Sequence, residues 1–317
     1  MSIFHILNGE SLVGTFKETT LAGPYHAWKE DVTTGSIAGD FDSDEWLEHR
    51  ANELFREFEL TGETPHCLLD LKRQSEQLEK SLKADEIVLW FENDYFCQLN
   101  QALILAWYAS RTLSSSKISF FRLETDVPLG ALQSADFEAL FPQRVAVSDE
   151  VMDLATSVWN AVTSNDPQGI VALRKENTQA LPVIDRALKC HLSRFPSVKN
   201  GLGRIEQTLL EILFAGSMTF GNLYRRFAER HPEYGYGDGH VWISLRNLSR
   251  LRTPLIEIND NDMALNAQLS IRPQAADVLS GNIDAIALNG IDKWIGGVHL
   301  TDHDAWRWDE ARQEIVR

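Results

Sequence analysis

Cysteine is scarce in this chain: Cys67, Cys97 and Cys190 are the only three, widely spaced and odd in number. That usage writes neither a disulfide framework nor a clustered thiolate metal site into the sequence, and it predicts a reducing, cytoplasmic setting. Long apolar runs are missing as well. The longest, around Ala102 to Tyr108, falls far short of the ~18 residues that a membrane span requires. The opening MSIFHILNGESL has no Lys or Arg ahead of a long apolar stretch, so no signal peptide and no membrane partner are expected. Positive charge is the third shortage. Thirty Lys and Arg stand against 46 acids, a formal charge of −16, and the summed field repels polyanions at long range. Nucleic acid is a partner only if basic residues gather on one face.

Several signatures are absent too. Gly9 and Gly14 have the spacing of a phosphate loop, GESLVG, but Thr15-Phe16 stands where Lys followed by Ser or Thr would reach phosphate and metal. No GxGxxG follows a strand-like run and no GxSxG occurs, which argues against a P-loop nucleotidase, a dinucleotide dehydrogenase and a serine hydrolase of the elbow type. What is present is an ordinary globular mixture, 44% hydrophobic and 24% charged over 317 residues. That length is enough for two compact units.

Ile3 to Leu7 reads as a strand closed by Asn8-Gly9, followed by a helix capped by Ser11. A second strand is expected at Tyr25 to Trp28, a loop from Gly35 to Asp44, and helices over Asp44 to Phe58 and His66 to Leu82. EIVLWF at Glu86 to Phe91 is the continuous apolar run of a strand buried on both faces, and a helix from Tyr95 to Ser110 follows it. Ile118 to Leu123 supplies a fourth strand. Strands therefore alternate with helices through residue 125, the pattern of a doubly wound, mainly parallel, Rossmann-like α/β domain over 1–125. Helices at Asp149 to Ser164, Pro167 to Glu176 and Pro182 to Phe195 form a helical connector over 126–200, or the start of the second domain. Helices at Gly201 to Ala215, Phe220 to Arg230 and His240 to Leu251 precede strands at Leu255 to Ile258 and Met263 to Ile271, with a turn at Asn259 to Asp262 between them. Three helices and a hairpin make 201–317 a mainly helical domain of winged-helix-like order.

Ligands of an open α/β sheet bind beyond the carboxyl ends of the strands. Those ends carry Asn8, Glu10 and Ser11; Glu30 and Asp31; Glu92, Asn93 and Asp94; and Glu124 and Asp126. Were they to converge, Glu10, Asp31, Glu92 and Asp94 would serve as general acid and base, and Glu10 with Asp94 would hold a hard cation, Mg²⁺ or Mn²⁺. Asn8 and the Ser11 helix start would meet an anion, and Gln98 lies one turn beyond Asp94 on the same helix face. The same residue types also cap helices and complement the helix dipole without any further role. In the tail, HLTDHD sets His299 and His303 at metal-ligand spacing beside Asp302 and Asp304, a pattern that packing explains equally well. Arg307 sits between Trp306 and Trp308, where it can stack with them. On the third helix of the last domain, Arg246 and Arg250 lie four apart opposite Leu245, Leu248 and Leu251, as a groove-reading helix requires.

HILNGESL, EIVLWFENDYFCQLNQ, GLGRIEQTLLEIL, Gly237-Asp238, KWIGGVHL and WRWD together resemble an uncharacterised bacterial family, domain of unknown function 1835 with its C-terminal companion domain, over nearly the whole chain. Where that family's pattern has NGDS, this chain has Asn8-Gly9-Glu10-Ser11, which keeps a carboxylate and lengthens it. The resemblance implies a bacterial origin and this domain order but no activity. It points to Asn8, Glu10, Asp31, Glu92, Asp94 and Gln98, and to Arg204, Glu206 and Asp238. The expectation is an enzyme or sensor acting on a phosphorylated or nucleotide-like small molecule at an acidic sheet rim, with a divalent metal. The alternatives are a DNA-binding regulator using Arg246 and Arg250, or a protein-interaction module.

Overall fold

A computed structural model of the chain describes residues 1–59, 64–111, 113–123, 128–176, 178–259 and 263–317. The first strand, β1 (Ile3–Asn8), leads through a 3₁₀ turn into α1 (Val13–Lys17) and then β2 (Tyr25–Trp28). The chain continues through α2 (Asp44–Glu57), α3 (Thr64–Ser81), β3 (Glu86–Trp90), α4 (Tyr95–Ser110), β4 (Ile118–Phe120), α5 (Ser134–Leu140) and β5 (Val145–Ala146). The sheet order is β2-β1-β3-β4-β5. The first four strands are parallel and β5 is antiparallel to β4. The chain is thus a mixed α/β protein with a mostly parallel five-stranded sheet at its start and a largely helical remainder.

Alternation along the two central strands decides what covers each face. Phe4 and Ile6 of β1 and Ile87 and Leu89 of β3 point into the main core with α4, while Leu7, Val88 and Trp90 point to the opposite face, where Phe16 of α1 and Phe137 of α5 close a smaller core. Parallel strands carry helices on their connections, and both faces being covered explains why EIVLW is apolar without a break. Helix α4 is buried along nearly its whole length, and its polar residues are satisfied internally: Asn100 accepts from the Trp28 indole at 2.8 Å, and Gln98 donates to the Glu92 carbonyl at 2.6 Å.

The helices α6 (Asp149–Thr163), α7 (Gln168–Arg174) and α8 (Ile184–Ser193) follow. They are not a spacer: the apolar stripe Val151, Met152, Ala155, Val158, Trp159 and Val162 of α6 packs against α4, as does α8. The segment read as a connector is therefore part of the main body, because such a stripe has to be buried. Then come α9 (Arg204–Phe214), β6 (Met218–Thr219), α10 (Phe220–Arg230), α11 (Asp238–Ser249), β7 (Ile256–Ile258) and β8 (Gln268–Ile271), with the strands paired in the order β6-β8-β7. The chain ends with α12 (Gln274–Ser280), α13 (Ala285–Asn289) and two hairpins, β9 (Asp292–Ile295) with β10 (Val298–Thr301), and β11 (Arg307–Asp309) with β12 (Glu314–Val316). Among the described residues no helix is long and apolar enough to cross a membrane.

Three local expectations are corrected. Ser11 does not cap a helix; it sits exposed inside the 3₁₀ turn Glu10–Leu12, which is entered through Gly9 at φ 87°, a backbone conformation that glycine tolerates. The strand expected over Ile118 to Leu123 ends at Phe120, and the short edge strand β5 had no sequence signal. Arg307 pairs with Asp284 at 2.6 and 2.9 Å, and it is Arg317 that lies over the Trp306 ring at 4.4 Å.

Candidate functional site

The order of chain connections reverses at β1, with β2 on one side and β3 on the other, and the carboxyl ends of these parallel strands open on one edge. From β1, Asn8 donates through Nδ2 to Cys97 Sγ at 2.9 Å, and its Oδ1 is buried without a partner. From the turn after β3, Asp94 caps α4 by accepting from the Cys97 N–H at 2.8 Å. Glu92 accepts from the Leu129 N–H at 2.8 Å. Ligand atoms of Glu92, Asp94 and Cys97 all lie within 4.8 Å of one another, the one such group of His, Cys, Asp and Glu found among the described residues. Asn8, Glu92, Asp94 and Gln98 thus belong to one rim, as their places at adjacent strand ends required.

Burial pushes the Glu92 carboxyl up to about 7, with the neighbouring Asp94 charge adding to it, and burial raises Asp94 as well. The pair therefore keeps a proton near neutral pH. Burial and the two carboxylates push the Cys97 thiol well above its usual range, so it is a thiol and not a thiolate.

Glu10 does not join this group. It is exposed on the 3₁₀ turn and pairs with Lys29 at 2.6 Å, so Glu10 and Asp94 do not form the expected pair, and Asp94 lies instead with Glu92 and Cys97. Ser11 is exposed beside a five-residue helix. Glu124 and Asp126, and residues 260–262 of the acidic turn, lie outside the described residues. His299 hydrogen-bonds Asp292 at 2.7 Å and stacks on Trp294 at 4.4 Å, while His303 is exposed, so the two form no ligand group.

Asp31 faces a second site. The loop that follows β2 is pinned by Arg50 of α2, a fully buried guanidinium that donates to Glu30 at 2.8 and 3.1 Å and to the carbonyls of Asp31, Thr34 and Ser36. So held, Asp31 accepts from the Thr33 N–H at 3.0 Å and hydroxyl at 2.6 Å, and hydrogen-bonds His240 Nε2 of α11 at 3.1 Å. Burial alone would raise this carboxyl; His240 and the hydroxyls of Thr33 and Thr34 outweigh it and hold Asp31 well below the usual carboxylate range. The His240 ring stacks on Tyr236 at 4.5 Å, with Phe58 and Phe96 edge-on at 5.8 and 5.6 Å.

Beside this pair lies Arg194, 6% exposed. It donates to the Tyr95 hydroxyl at 2.6 Å and to the Thr33 carbonyl at 2.5 Å, and among the described residues its Nε has no partner and no carboxylate is bonded to it, although the Asp31 charge lies near. His191, which hydrogen-bonds Tyr95 at 3.0 Å, is lowered to about 3 by burial and by Arg194, and so stays neutral. Thr33, Thr34, Arg194, Tyr236 and His240 line a cleft of about 850 Å³, within the range of small-molecule sites. Its far wall comes from α9, α13 and β9, and includes Glu206, one of the residues that the resemblance singled out. The other two lie elsewhere: Arg204 pairs with Glu310 at 2.7 Å, and Asp238 is exposed at the start of α11.

The expected basic face of α11 is engaged by the segment that ends α2. Arg246 is buried, donating to the Glu57 carbonyl and pairing with Glu59 at 3.4 Å, and Arg250 also pairs with Glu59. His240, Ile243, Ser244, Asn247, Leu248 and Leu251 of this segment line the cleft. Sequence reasoning overlooked His240, Tyr236 and Arg194, since no spacing links them to Asp31; only the folded chain makes them neighbours. No family model matches the chain, and no curated protein matches it.

Proposed function

We propose that the chain is an enzyme or ligand sensor whose site is the cleft between the sheet domain and α11, and that it takes an anionic small molecule of the phosphorylated or nucleotide-like class. The observation that carries this reading is His240, held from behind by the buried Asp31, in the wall of an open cleft beside Arg194, a buried cation with no bonded carboxylate among the described residues. A carboxylate on one ring nitrogen fixes the orientation and tautomer of an imidazole and leaves the other nitrogen for proton transfer. Here Asp31 occupies Nε2, so Nδ1 is the nitrogen left for a ligand, and Arg194 supplies the charge that an anion meets. The order helix, strand, two helices and two strands over α9 to β8 fits a winged helix, which we propose serves as a cleft wall. The DNA-reading alternative requires Arg246 and Arg250 to be free, whereas both are engaged by the end of α2.

Thermal shift with inorganic phosphate and a panel of nucleotides tests the reading, because a ligand bound only by the native state raises the melting temperature. Wild type is expected to rise with at least one member, and His240→Gln with Arg194→Lys to lose the rise. A rise that both variants keep would move the site away from the cleft.

A second reading is favoured by the convergence of Glu92, Asp94 and Cys97: a divalent ion replacing the proton that the buried pair retains. The two carboxylates alone suit Mg²⁺ or Mn²⁺, and the sulphur suits Zn²⁺. Titration with each metal, against Asp94→Asn, tests it; equal response in both proteins would exclude the rim.

A further inference from the structure

Charge and hydrogen bonding along the cleft narrow the ligand beyond the class just proposed, and this step rests on the cleft being a small-molecule site. Its lining carries three cations, Arg56, Arg194 and Lys293, against four carboxylates, Glu57, Glu206, Asp292 and Asp302. Arg56 is paired with Glu53 and Glu57, and Lys293 with Glu206 at 2.5 Å. Among the described residues, Arg194 alone of the three has no bonded carboxylate. A polyphosphate would meet more negative than positive charge on these walls, whereas a single anionic head finds one partner.

The opposite wall holds complementary loose ends. Glu206 has Oε1 occupied by Lys293, and its Oε2 is buried without a partner. Asn289 accepts the Thr253 N–H through Oδ1 at 2.7 Å, which fixes the amide so that Nδ2 is its donor side, and Nδ2 is likewise unpartnered. Buried polar atoms are nearly always paired in folded proteins. Of the seven left over among the described residues, three belong to Arg194, Glu206 and Asn289, all lining this one cleft. Gly203 belongs to the same wall: a Cβ there would stand 2.6 Å from Glu206 Oε2 and 2.5 Å from the Arg194 carbonyl, so only glycine lets the Glu206 carboxylate and the Arg194 backbone approach this closely. Tyr236 and Trp294 add aromatic surface to the lining.

We infer that the cleft binds a nucleoside monophosphate, its single phosphate on Arg194 and its base presenting a donor to Glu206 Oε2 and an acceptor to Asn289 Nδ2. Polyphosphates are excluded by the wall charge, and free phosphate lacks the body that the far wall reads.

Calorimetric titration of the full chain with the four ribonucleoside monophosphates, their triphosphates, their nucleosides and inorganic phosphate tests this. At least one monophosphate is expected to bind about tenfold or more tightly than its own triphosphate, its nucleoside and phosphate. Asn289→Asp, which keeps the acceptor for the Thr253 N–H and removes the Nδ2 donor, is expected to weaken that monophosphate by about tenfold or more, at least the equivalent of one hydrogen bond. Glu206→Gln, which keeps an acceptor while removing charge, is expected to change the preference among bases. A triphosphate that binds as tightly as its monophosphate, or phosphate alone that matches it, would overturn the inference. Binding of a different organic anion that Arg194→Lys abolishes would overturn it while preserving the cleft as a site. Failure of every probe in a broad metabolite panel would overturn both.

Discussion

Glu92 and Asp31 are both strand-end carboxylates, and their surroundings drive them in opposite directions. Glu92 shares a buried corner with Asp94 and is paired with no cation among the described residues, so its folded form binds a proton that the unfolded chain has lost between its ordinary 4.5 and about 7. The folded state binds more protons across that window, and stability therefore falls as pH rises through it, by up to about 3 kcal/mol. Glu92→Gln is expected to flatten this decline, seen as a smaller drop in melting temperature between pH 5 and pH 8 than in wild type; an unchanged drop would show that Glu92 titrates normally. Asp31 behaves in the opposite sense. Its depressed carboxyl adds stability that is complete above its ordinary 3.8 and is lost as pH falls toward the folded value. Asp31→Ala removes the anion beside His240 and Arg194 and is expected to cost about 3–5 kcal/mol, as broken buried charge pairs do. Denaturant unfolding at pH 7 checks it, and Asp31→Asn should lose less because it keeps the hydrogen bonds.

Among the elements, α2 does the most to position the cleft. Its N-terminus is capped by Ser43, which accepts from the Trp46 N–H at 3.1 Å, and its middle presents Arg50 to the loop that carries Asp31. Ser43→Ala is expected to cost about 1 kcal/mol in denaturant unfolding. The C-terminal end of α2 meets α11, and here two arginines four residues apart differ in consequence. Arg246 is buried on the Glu57 carbonyl, so Arg246→Ala is expected to cost about 1–3 kcal/mol, whereas Arg250 is half exposed and Arg250→Ala should cost no more than about 1. Equal, small losses would mean that α11 is not docked on α2. The turn before α11 is fixed by Gly235 at φ 66°, where a Cβ would fall 2.1 Å from Asp94 Oδ1. That contact joins the rim carboxylates to the segment that carries Tyr236 and His240. A methyl group at this position has neither the backbone conformation nor the space.

For the molecule as a whole, one hydrophobic cluster runs from Phe4 to Ile315 and takes in the sheet, α4, α6, α8, α9 and the final hairpins. A continuous core predicts a single cooperative transition in differential scanning calorimetry, in spite of a length that invites two units; two separated transitions would show that the halves melt independently. Most of this architecture was legible. The alternation of apolar runs with helical periodicity marked β1, β2, β3 and α4 nearly to the residue, because local pattern and burial agree there. The rim residues Asn8, Glu92 and Asp94 were legible for the same reason, since parallel neighbours place their ends together. Glu10 was misplaced because a turn residue's direction is set by the turn geometry, not by its distance from the strand.

The sequence by itself determined the strands and helices of the first domain's centre, β1, β2, β3 and α4, and that carboxylates crowd the ends of the strands, since periodicity and residue type act over a few residues. Only the tertiary structure decided that Asp31 would meet His240, 209 positions away, that Arg194 would stand buried beside them, and that Arg246 of α11 would turn inward. Each of those outcomes depends on which surfaces dock to bury their apolar faces, and that choice is made by the whole chain at once.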